Sequence, residues 1–82
     1  MKLSEHFVLS AHAKENARDR KIKYGWIQSA LNTPDIKQYR KDGKVHYLRR
    51  IQEHGGYCLR VIVDPRKEPR VVVTVYFDSS VF

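Results

Sequence analysis

A single cysteine, Cys58, stands in the 82-residue chain, so no disulfide can close within one molecule. Placed in a strand-like stretch, it reads as a reduced, buried thiol, which fits a cytoplasmic protein. Long hydrophobic runs are missing as well. No stretch approaches the roughly 18 apolar residues of a membrane span, and the opening Met1-Lys2-Leu3-Ser4-Glu5-His6 lacks the apolar segment of a signal peptide. The expectation is a protein away from membranes, in the compartment where it is made. His6, His12, His46, His54 and Cys58 follow no zinc spacing, and no carboxylate cluster suggests magnesium, so no metal and no cofactor is expected. Glycine-rich phosphate loops and nucleophile elbows are also lacking. Without an internal repeat, a low-complexity stretch or a dividing linker, residues 1–82 are expected to form one small domain.

Acidic residues are few. Nine Asp and Glu face sixteen Lys and Arg, a net charge of +7, and the pI is near 9.8. Such a balance points to an anionic partner such as nucleic acid, although it also simply aids solubility. A chain of this size buries only about 60–65% of its unfolded surface, enough for a single modest core between two layers.

What is present sorts into two helices followed by strands. Ser10 is a credible N-cap for a helix over 11–20, where Ala11, Ala13 and Ala17 favour helix but give a thin apolar face. Trp26, Ile27, Ala30 and Leu31 at helical spacing predict a second helix over 24–31, ending before Pro34. The remainder predicts an antiparallel meander: 35–40, a turn at Lys41-Asp42-Gly43, then 44–51, a turn at Glu53 to Gly56, and two β-branched runs, 57–63 and 70–77. The predicted fold class is α+β, two N-terminal helices on a four-stranded antiparallel sheet, in the order ααββββ.

Arginine inside those last strands is the most informative feature. If the hairpin register has the favourable parity, strand alternation puts Leu59, Val61 and Val63 on one face with Val71, Val73, Val75 and Phe77, and leaves Arg60, Thr74 and Tyr76 on the other. If Val63 faces Val71, Arg60 lies opposite Thr74. A two- or four-residue turn at His54-Gly55-Gly56 would bring Ile51 across from Arg60 and add Tyr47 and Arg49 to its face, with His46, Leu48 and Arg50 pointing away. An odd-length turn would substitute Arg50 for Arg49. A cation, a hydroxyl and a phenol on one sheet face suit a phosphate better than a core.

Ser10-Ala11-His12-Ala13, Arg18-Asp19-Arg20-Lys21-Ile22, the helix ending at Pro34, Tyr47-Leu48-Arg49-Arg50, Leu59-Arg60-Val61-Ile62-Val63-Asp64 and Val73-Thr74-Val75-Tyr76 together resemble a family of small bacterial and phage domains, described mostly as a domain of unknown function. That family is similar to the RelE, barnase, EndoU and colicin (BECR-type) superfamily of metal-independent ribonucleases. The resemblance covers roughly residues 8–77. It implies RelE-like helices against a sheet, an endoribonuclease toxin of a toxin–antitoxin or phage-borne system, RNA as free or ribosome-associated substrate, and an acidic antitoxin as a possible protein partner. The related sites combine a helical histidine with sheet arginine, threonine and tyrosine. The matching positions are His12, Arg49 or Arg60, Thr74 and Tyr76.

These types suffice without metal. Attack of a ribose 2′-hydroxyl on its phosphate needs a base, a cation over the phosphate and an acid for the departing 5′-oxygen. His12 titrates in the right range to be base or acid. Arg49 and Arg60 would clamp the phosphate, and Thr74 would orient one of its oxygens. Tyr76 would bond the phosphate, donate a proton or stack on a base. Arg18, Arg20 and Lys21 extend a basic track, Tyr47 adds a sheet phenol, and His54, in a turn, could reach a substrate phosphate.

Plainer roles compete. His12 could pack helix on sheet, the arginines could pair with Asp64, Glu53 or Asp78, and Tyr47, Tyr57 and Tyr76 could cover the sheet. Two other function classes follow, a basic module that binds RNA or DNA without cutting it and a protein-interaction domain.

Overall fold

The computed structural model describes residues 7–81. Its elements run β1 (Phe7–Leu9), α1 (Ala11–Asp19), α2 (Tyr24–Asn32), β2 (Ile36–Tyr39), β3 (Val45–Ile51), a single 3₁₀ turn (Gln52–His54), β4 (Tyr57–Asp64) and β5 (Arg70–Phe77). Both helices pack on one face of a five-stranded sheet ordered β1-β5-β4-β3-β2.

The α+β class stands, but the four-stranded antiparallel sheet is corrected to five strands, one of them parallel. β1 pairs in parallel with β5, Phe7 with Arg70 and Leu9 with Val72. Three residues are too few to show an alternation, and their partner lies more than sixty positions away, so nothing local announces the strand.

Helix α1 begins as its sequence directs. Ser10 Oγ accepts from Ala13 N at 3.0 Å and donates to the Val73 carbonyl at 3.2 Å. The cap therefore also fastens the helix to β5. Ala13 and Ala17 are buried, and their small side chains let α1 lie close on the sheet. α2 contributes Ile27, Ala30 and Leu31 to the core, with Trp26 half-buried beside it. Leu59, Val61, Val63, Val72 and Val75 complete that core and are fully buried. Each contributes about 1.5–3 kcal/mol by leaving water.

Two register expectations are overturned. The β3–β4 connection spans 52–56, five residues, because the 3₁₀ turn is followed by Gly55 and Gly56, both at positive φ. This odd length pairs Arg60 with Leu48 and Ile51 with Tyr57. Tyr47 and Arg49 therefore stand on the helix side, and His46, Leu48 and Arg50 share the Arg60 face. In β5 the register slips next to Val63, which pairs with Val72 rather than Val71, leaving Val73 as an extra residue. The shifted Val63–Val72 pairing and the bulge, one position each, place Arg60 opposite Tyr76, not Thr74, and Val72 is buried where Val71 was expected.

On the outer strand β2, Lys37 Nζ lies 5.3 Å from the Tyr39 ring and 5.2 Å from the Tyr47 ring. Among the described residues no helix is long and apolar enough to cross a membrane.

Candidate functional site

Positions 12 and 16 are one helical turn apart, so His12 and Asn16 share a face of α1. Asn16 Nδ2 donates to Thr74 Oγ1 at 2.7 Å and approaches His12 Nε2 at 3.4 Å. An amide carries two hydrogens and can serve both. With Asn16 as donor, His12 Nε2 is the acceptor, and the imidazole proton sits on Nδ1. By strand alternation Thr74 belongs with Ile62 on the Arg60 side of the sheet. The neighbouring bulge breaks the regular pleat, and its hydroxyl meets α1 instead. His12 is exposed while Asn16 and Thr74 are half-buried. An accessible imidazole is thus held by a sheltered amide. Arg18 and Arg20 are exposed at the end of the same helix, followed by Lys21 in a left-handed turn. The Arg18–Asp19 contact, 3.9 Å in full solvent, offsets little of that charge.

Arg60 lies apart from this group in a polar network of its own. Only 8% exposed, it donates from Nε to Asp78 Oδ2 at 2.8 Å, and from Nη1 to Gln38 Oε1 at 3.2 Å and His46 Nδ1 at 2.7 Å. Guanidinium only donates, so His46 Nδ1 carries no proton. Burial and then the Arg60 charge push the His46 pKa down. The Ser80 hydroxyl and amide, with Arg60, hold Asp78 below the usual carboxylate range. Cys58, buried on this face, has its thiol pKa raised by burial. It is a packed thiol, poorly suited to be a nucleophile.

The sequence-predicted residues therefore fall into separate places. His12 and Thr74 are joined through Asn16. Arg60 and Tyr76 are neighbours across β4 and β5. Arg49 Nη1 donates to the Thr33 carbonyl at 2.7 Å and ties β3 to the end of α2. Tyr47 is buried in the core, with its ring edge-on to Phe7. His54 stands on the 3₁₀ turn among aromatic rings.

Asn16, Gln38 and His46 escaped the sequence reading as site residues. Asn16 could have been found from its spacing to His12. His46 needed the odd turn length, which the sequence left open. Among the described residues no group of His, Cys, Asp and Glu could hold a metal ion.

The model of one protein family, described as a domain of unknown function (DUF4258), matches residues 9–77. This bears on the resemblance to a family of unknown function, and carries no kinship with ribonucleases. No curated protein and no solved structure matches the chain.

Proposed function

The chain belongs to the DUF4258 family, whose description leaves the activity open, and we propose that it is a metal-independent endoribonuclease, acting as the toxin of a toxin–antitoxin or phage-borne system. The observation that carries this reading is the Asn16 amide bridging His12 Nε2 and Thr74 Oγ1. Asn16 holds the exposed imidazole by a long 3.4 Å contact to Nε2, the nitrogen that must release the amide before it can serve as a general base. Once Asn16 is displaced from it, His12 Nε2 takes the proton of the ribose 2′-hydroxyl, whose oxygen bonds to the adjacent phosphorus as the bond to the 5′-oxygen breaks. The leaving oxygen takes a proton from water. The products are a 2′,3′-cyclic phosphate and a 5′-hydroxyl. Arg18 and Arg20 attract the phosphate backbone.

A second reading, a basic module that binds RNA without cutting it, is favoured by one observation. The sheet cation Arg60 is already matched by Asp78, so the phosphate is left to the helix cations and no buried guanidinium faces the reacting charge.

Incubating the protein and its His12→Ala variant with total RNA and transfer RNA in excess EDTA separates the two. Cleavage by the parent alone, leaving cyclic phosphate ends, is expected. Salt-sensitive binding by both without cleavage would leave only the binder, or an enzyme that needs the ribosome.

A further inference from the structure

Four rings from four elements meet at one end of the sheet. His54 stacks on Phe77 with centroids 4.4 Å apart and planes 18° apart. Trp26 lies 5.5 Å from His54 at 49°, and Tyr57 lies 5.6 Å from it at 54°. The imidazole is thus a floor backed by Phe77, with two tilted rings beside it. The floor and one flank are open to solvent: His54 is exposed, and Tyr57 is 57% exposed. The turn is set by Gly55 at φ 65°, a left-handed conformation that residues with a side chain rarely adopt, and a Cβ there would meet the Tyr57 ring in ordinary van der Waals contact. Lys23 adds an ammonium 5.4 Å from the centre of the Trp26 ring.

Exposing this much aromatic surface has a cost that core packing alone does not explain, since Phe77 and Trp26 already close the core edge without Tyr57 or His54. We propose that His54, Tyr57 and Trp26 form a stacking platform for an unpaired nucleobase of single-stranded nucleic acid. Aromatic faces of this kind accept any base, while a nearby cation holds the backbone. An ammonium already over Trp26 repels a cationic guest, so the platform selects a neutral planar ligand joined to an anion. A nucleotide combines the two. The inference rests on the domain holding nucleic acid and is independent of cleavage.

Trp26 is the only tryptophan, so its fluorescence reports on the platform directly. The probe is a deoxyadenylate oligomer, which has no 2′-hydroxyl and cannot be cleaved by the proposed route, set against an abasic oligomer of equal length. Saturable quenching by the first and not the second is expected, with Tyr57→Ala weakening the affinity about tenfold or more. Tyr57 is exposed, so that variant keeps its core, which circular dichroism checks. Binding seen by anisotropy of a labelled oligomer without Trp26 quenching, equal affinity for Tyr57→Ala, or no binding at all would each overturn the platform. Quenching without any ribonuclease activity would uphold it while the cleavage reading fell.

Discussion

Arg60 and Asp78 form an ion pair of 2.8 Å on the helix-free face of the sheet, their side chains only 9% and 13% exposed. The pair holds the segment after β5 against β4, where Asp78 N also donates to the Cys58 carbonyl at 2.8 Å. Asp78→Ala is expected to cost about 3 kcal/mol, the low end for removing one member of a buried pair, because Gln38 and His46 still hold the guanidinium. Urea unfolding measures it. Arg60→Met added to Asp78→Ala should recover part of the loss, since no unpaired charge then stays buried.

Stability should fall in mild acid through His46. Its folded pKa is lowered from 6.5 by burial and by Arg60, so the unfolded chain binds the proton more readily. The contribution is complete above pH 6.5 and declines as the pH drops toward the lowered folded value. Asp78, also lowered, adds a second loss at more acid pH, below the ordinary carboxylate value of 3.8. Thermal melts from pH 7.5 to 5 should show the first decline, and His46→Gln should flatten it.

Arg49 and Arg18 are expected to part company. Arg49→Ala removes the 2.7 Å bond to Thr33 and should lower stability by about 1–2 kcal/mol, leaving the salt dependence of RNA binding unchanged. Arg18→Ala should leave stability within about 0.5 kcal/mol. It should reduce the slope of log affinity against log salt by about 0.7, the value for one contact to a single strand. Filter binding over a salt series distinguishes them.

Thr74→Val keeps the β-branched shape and removes the hydroxyl that anchors Asn16. Cleavage should drop about tenfold with binding unchanged, while His12→Ala should lose about 10²–10⁴. An unaltered rate for Thr74→Val would show that the Asn16 bridge does not position His12.

The helices were legible because their signals are local. Ser10 caps, Ala13 and Ala17 line one face, and Pro34 stops the second helix, each within a few residues of what it controls. The strands 57–63 and 70–77 were legible for the same reason. Which face each side chain occupies depended on one residue in a turn and one in a bulge, and composition does not count residues across either. So Arg49 and His46 exchanged sides, and Thr74 lost its place opposite Arg60. β1 stayed hidden because parallel pairing has no adjacent partner in sequence. The join between His12 and Thr74 through Asn16 crosses 58 positions and exists only once α1 is docked.

Lys37 bears on how the molecule behaves among its own copies. An outer strand offers unpaired amides and carbonyls to any passing strand, and β2 carries the flat, exposed Tyr39 that would invite such growth. An ammonium resting over Tyr39 and Tyr47 puts like charge against like charge whenever two such edges approach. A lysine on that edge opposes edge-to-edge pairing of two such sheets.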